Sequence, residues 1–132
     1  MNLKVYLETN GILYKELKEI IQGIDIVAMD FKLPTSTKTA AYWKEHEQFL
    51  RIARRKEVFV KAVISKDTQK KDIQKAIKII QSVDPRVMFI LQPNSQDKNF
   101  SIKKCLAYQK ICEEKLADVR VIAQVHKILK VR

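Results

Sequence analysis

An acid and an amine two positions apart, Asp30 and Lys32, close the apolar run Val27-Ala-Met-Asp-Phe-Lys-Leu-Pro34. Side chains alternate along an extended chain, so residues i and i+2 share a face. On that face Ile24, Ile26, Ala28, Asp30 and Lys32 stand together, opposite Asp25, Val27, Met29 and Phe31. The same pattern recurs: Phe59, Lys61, Val63 and Ser65 lie opposite Val58, Val60, Ala62 and Ile64, and Arg120, Ile122, Gln124 and His126 lie opposite Val119, Val121, Ala123 and Val125. Gln92 ends another apolar run, and Glu8 and Asn10 end the first one. Glu8, Asp30, Lys32, Lys61 and Arg120 can pair with one another, and they can also hold a carboxylate. A sheet buried on both faces should not tolerate them, because an unpaired buried charge costs several kcal/mol, on the order of a domain's whole stability. Either one face of the sheet encloses a polar ligand chamber, or the charges are only stabilising pairs.

Alternating strand and helix periodicity supplies the elements that would position these groups. Strands are predicted near residues 2–8, 24–31, 57–64, 86–91 and 118–124, and helices near 12–22, 39–55, 70–82 and 101–116. In the third helix Ile73, Ala76, Ile77 and Ile80 form an apolar stripe, Asp67 or Thr68 can cap the start, and Pro85 closes the connection beyond it. In the second, Trp43, His46, Glu47 and Leu50 share a face, and a lone helical histidine reads as packed rather than chemical. Strict βα alternation implies an α/β fold with parallel strands and right-handed crossovers. Helices on one face with a chamber on the other, as in full or partial βα barrels, place ligands at the carboxyl ends of the strands.

The 132 residues fit a single domain, 1–132, and a hydrophobic content of 46% can build a core. The sequence shows neither a long apolar span nor a secretory leader, so a cytoplasmic protein is expected. A net charge of +11 attracts phosphates, yet Lys70, Lys71, Lys75 and Lys78 sit on the polar face of a helix without interleaved aromatics. A solvated face is expected, with no nucleic acid and no membrane. The two cysteines, Cys105 and Cys112, share a helical face with Ile102, Leu106 and Leu116 and read as small hydrophobes. No metal site is predicted in this chain, since no closely spaced trio of cysteines exists.

The segments Glu8-Thr-Asn-Gly11, Asp30-Phe-Lys-Leu-Pro34, Val60-Lys-Ala-Val-Ile64, Leu91-Gln-Pro93 and Gln124-Val-His-Lys127, in this order and spacing, resemble the carboxyl-terminal part of radical S-adenosylmethionine enzymes. Within that superfamily the resemblance is nearest to the 7-carboxy-7-deazaguanine synthases, with glycyl-radical-enzyme activases as relatives. It implies part of a (βα)6 partial barrel, here about five strands and four helices. It also implies S-adenosylmethionine and a 4Fe-4S cluster as cofactors, with Mg possible. The family's substrate is 6-carboxy-5,6,7,8-tetrahydropterin, which is rearranged in queuosine biosynthesis. By the resemblance, Lys32 pairs with the cofactor's carboxylate, Asp30 orients Lys32, Glu8 and Asn10 lie beside the adenosyl group, and Gln92 stands at the rim. Lys61, Gln124 and His126 match positions that would meet substrate. Catalytic residues are not assigned.

The departures matter too. The cluster cysteines and the Gly-Gly-Glu-Pro segment of the family are not matched, Ala123 stands where proline is expected, and Thr35 where serine is commoner. The chain is therefore expected to be a carboxyl-terminal segment that is inactive alone and forms a homodimer or joins an amino-terminal segment. A glycyl-radical-enzyme activase segment and a non-catalytic basic βα binding module are the alternatives.

Overall fold

The structure is a computed structural model and describes residues 3–123. Among these residues five strands form one sheet: β1 (Tyr6–Thr9), β2 (Ile26–Asp30), β3 (Glu57–Ile64), β4 (Met88–Pro93) and β5 (Val119–Val121). They are joined by α1 (Tyr14–Ile20), α2 (Pro34–Thr37), α3 (Trp43–Ala53), α4 (Lys70–Val83) and α5 (Lys98–Glu113), with short 3-10 turns at Ile21–Gly23 and Ser95–Asp97. The sheet order is β1-β2-β3-β4-β5 and each adjacent pair is parallel. Sequential order with right-handed crossovers puts the connecting helices on one side.

The packing agrees. One large core joins Val27, Met29, Phe31, Val60, Ala62, Ile64, Phe89, Leu91 and Val119 of the sheet to Leu17 of α1, Phe49 and Leu50 of α3, Ile73, Ala76, Ile77 and Ile80 of α4, and Cys105 and Cys112 of α5. The opposite face carries a smaller cluster drawn from strands and their ends, Ile26, Phe59 and Ile90 with Tyr6, Ala28, Met88 and Ile122. The alternation read from the sequence therefore sorts the two faces correctly.

Three local expectations are corrected. The helix expected over 39–55 starts at Trp43: the preceding chain forms the separate turn α2, closed by its C-cap Lys38 at a left-handed φ of 58°, and runs irregularly from there to Tyr42; this makes five α-helices among the described residues. Neither Asp67 nor Thr68 caps α4. Its N-cap is Gln69, without a side-chain cap, and the Thr68 hydroxyl instead accepts from the Ser65 N–H at 2.8 Å. Leu106 is half exposed and leaves the buried face of α5, where Ser101, Cys105 and Cys112 lie.

Both thiols are fully buried, and burial pushes each up to about 12. The thiolate is the reactive form, so Cys105 and Cys112 should resist iodoacetamide at neutral pH until the chain is unfolded. Mass spectrometry showing rapid alkylation of the native protein would contradict this packing.

Candidate functional site

The carboxyl end of β2 brings the site together. Asp30 and Lys61 are lateral partners in the β2–β3 register, which sets their side chains next to each other on the face opposite the helices. The Asp30 carboxylate lies between two ammonium groups: Lys61 Nζ is 3.2 Å from Oδ1 and Lys32 Nζ 3.6 Å from Oδ2. All three side chains keep roughly a third of their surface exposed, 31% for Asp30, 27% for Lys61 and 35% for Lys32. Ion pairs this wet are worth about 0–1 kcal/mol, so stability alone is a weak reason for the grouping. Two cations against one anion leave the cluster with a net positive charge, suited to a carboxylate.

The register extends the row: Lys61 neighbours Ile90, which neighbours Arg120. Gln92, one step further along β4, lies beside Val63, and its Oε1 is buried with no hydrogen-bond partner among the described residues. A buried acceptor left in this way asks for a donor. Glu8 pairs laterally with Ala28 on the same face and is exposed, as is Asn10 just past β1. Arg120, expected to share the hollow, turns to Asp118 instead, with Nε 3.0 Å and Nη2 3.3 Å from its carboxylate, and is half exposed. Gln124 and His126 lie outside the described residues.

Behind the charged cluster stands His46, fully buried. Its Nε2 accepts the Lys32 backbone N–H at 2.9 Å and its Nδ1 lies 2.8 Å from the Gly11 carbonyl oxygen. The ring stacks on Phe31 at 4.9 Å. Burial holds its pKa below the ordinary imidazole value, opposed by the hydrogen bond to Gly11 and by Glu45. The structural reading of His46 is sustained: it packs, and it joins two loops.

A second polar group supports the segment after β2. The buried Asp72 carboxylate accepts the Thr35 N–H at 2.9 Å and the Thr35 hydroxyl at 2.6 Å, while Thr35 Oγ1 accepts the Gln69 N–H at 3.0 Å. Ser36 and Thr68 share a hydrogen bond beside it. The departure at Thr35 thus uses the hydroxyl that threonine and serine have in common. Asp72 is a site residue that the sequence expectations do not include, although its spacing to Ala76, Ile79 and Ile80 places it on the buried stripe.

Among the described residues no group of three His, Cys, Asp or Glu side chains could hold a metal ion. The residues present do not fit a 4Fe-4S cluster, since both thiols belong to the core.

The fold and cluster define a parallel βα protein, singly wound, with a cationic group at the carboxyl ends of its strands. The chain is similar to the 7-carboxy-7-deazaguanine synthase of Geobacter sulfurreducens (strain ATCC 51573 / DSM 12127 / PCA), 37% identical over 131 residues, which are 97% of this chain and 52% of that protein. The chain spans about half the length of the curated relative it matches. No protein-family model matches it, and no solved structure does. No helix among the described residues is long and apolar enough to cross a membrane.

Proposed function

We propose that this chain is the carboxyl-terminal, ligand-facing part of a radical S-adenosylmethionine enzyme of the 7-carboxy-7-deazaguanine synthase type, whose substrate is 6-carboxy-5,6,7,8-tetrahydropterin. One observation carries the reading: the Asp30 carboxylate held between Lys32 and Lys61 at the strand ends, on the face that the helices leave open. The similarity to a protein of that name supports it.

In this reading Lys32 binds the carboxylate of S-adenosylmethionine, and Asp30 keeps its ammonium in place. Glu8 and Asn10 flank the adenosyl group, and Gln92 Oε1 accepts a donor from the bound ligand. Lys61, paired with Asp30 from the other side and partly exposed, would meet a second carboxylate, that of the pterin acid. Gln124 and His126, outside the described residues, keep the substrate-binding roles that the resemblance implies. Bound S-adenosylmethionine would supply hydrogen-abstraction chemistry, and Lys32 and Asp30 would hold and orient it. The described residues offer no ligands for a 4Fe-4S cluster, so the chain alone is expected to bind ligand without turnover.

The exposed apolar side chains support an added partner. Leu3, Val5, Leu13 and Ile20 are each about half or more exposed and lie in or beside β1 and α1, at one edge of the sheet. Tyr14 of α1 lines a groove with Lys44, Glu45 and Gln48 of α3. At 100° per residue, Leu13 and Ile20 fall on the other flank of α1. An amino-terminal βα segment would cover them and pair with the open edge of β1. Sedimentation that shows a monomer, with no affinity for such a segment, would count against this association.

Calorimetry with S-adenosylmethionine tests the central assignment. Lys32→Ala should weaken binding about tenfold or more, the worth of one charge-assisted hydrogen bond, with an unchanged circular dichroism spectrum. Equal affinity in the variant would remove Lys32 from the site. Salt-sensitive RNA binding, lost on changing Lys70, Lys71 and Lys75 together, would instead favour a basic binding module.

A further inference from the structure

The paired ladder between β1 and β2 ends at Thr9 and Met29, and the site residues lie just beyond it. Past that point the backbone of Phe31 is tied toward β3, donating to the Lys61 carbonyl at 2.8 Å. On the other side, the Lys32 N–H and the Gly11 carbonyl both meet the His46 ring. A backbone N–H can only donate, so Nε2 is the bare nitrogen and the ring proton resides on Nδ1, which donates to Gly11. The imidazole therefore takes the place of a missing ladder rung, contributed by a helix. Phe31 stacks on its face, and the Gly11 loop closes so tightly on its Nδ1 edge that a Cβ added to Gly11 would come within 3.2 Å of Nδ1.

We infer that His46 is a positioning residue, whose neutral Nδ1–H form stitches the Gly11 loop to Lys32 and so fixes the Lys32 ammonium over Asp30. This rests on the functional reading above only for the identity of the ligand. Proton uptake at Nε2 would place an N–H against the Lys32 N–H and break the stitch.

The charged groups facing the ring are Glu45 on its own helix and Asp30 and Lys32 from the end of β2, with the Tyr42 and Trp43 rings at its edges. The folded-state pKa lies below the value of about 6.5 for a free imidazole, so the folded form takes up protons less readily than the unfolded. The stitch is accordingly complete above about pH 6.5 and is lost as pH falls through the lower, folded value.

The test uses the whole chain labelled with 15N. Ring spectra at pH 7.5 should show Nδ1 protonated and Nε2 bare; the opposite tautomer overturns the inference. His46→Phe keeps an aromatic face against Phe31 and removes both hydrogen bonds. It should lower the protection of the Lys32 amide against exchange about a hundredfold and weaken S-adenosylmethionine binding about tenfold. His46→Gln, whose amide oxygen can accept from Lys32, should recover most of both. Unchanged protection in His46→Phe, or no recovery in His46→Gln, would reduce His46 to packing. Should His46→Phe fail to fold, the wild-type chain decides: protection of the Lys32 amide must fall along the same pH curve as the His46 ring signals. A wild-type chain that binds no S-adenosylmethionine defeats the functional reading, while the ring and amide signals still decide the role of His46.

Discussion

Phe31→Ala should destabilise the chain by about 3–5 kcal/mol, the usual range for emptying a well-packed aromatic site. Phe31 is 2% exposed and sits at the meeting point of three elements. Its ring stacks on His46 of α3, meets Trp43 edge-on at 6.4 Å, and lies 6.3 Å from Phe89 of β4. The loss exceeds that of an ordinary core deletion in one respect, because Asp30 and Lys32 flank this residue and take their direction from it. Urea denaturation would measure the stability change, and the ion pair of Asp30 with Lys32 should loosen with it. A variant that melts within about 1 kcal/mol of the parent would show that Phe31 is not the anchor described.

Gly11→Val should cost about 3 kcal/mol. Gly11 has a φ of +68°, where the left-handed conformation alone costs a non-glycine residue roughly 1–2 kcal/mol and a β-branched one more. Space is short as well. A Cβ would approach the Met29 side chain to 2.7 Å, the Asp30 carbonyl to 3.2 Å and His46 Nδ1 to 3.2 Å. Met29 can swing its terminal methyl aside, but the Asp30 backbone is part of the sheet, so the remaining strain adds roughly 1–3 kcal/mol. Thermal unfolding of Gly11→Val and Gly11→Ala side by side should rank valine as the worse. Equal melting temperatures for both variants and the parent would mean that the loop relaxes freely.

The faces of the sheet were legible because the period of two survives in every strand. Ile26, Ala28 and Asp30 on one side and Val27 and Met29 on the other needed no partner to be told apart. Asp30 and Lys61 could be assigned to one face for the same reason, but their pairing depends on the β2–β3 register, which local sequence does not carry. Arg120 shows the limit. It has the right parity, yet Asp118 two residues earlier offers a nearer carboxylate, and a contact that local wins over one across the sheet. His46 was read as packed, and its two hydrogen bonds come from Gly11 and Lys32, segments far away in the chain that only the fold brings to it. The start of α3 is four residues later than the periodicity suggests, because residues 39–42 run on irregularly from the left-handed Lys38, and the turn before them is anchored by Asp72 through Thr35, a contact that local sequence does not carry.

The consecutive strand order also bears on how the chain reaches its native state. Among the described residues every lateral strand contact joins stretches only about twenty to thirty residues apart, so none of these pairings waits for distant parts of the polypeptide to find each other. Each βαβ unit can dock on the one before it, and assembly can spread from the centre, where β3 and β4 share the longest register. Refolding kinetics should therefore resemble those of other locally wired α/β domains, with the short outer strand β5 settling last.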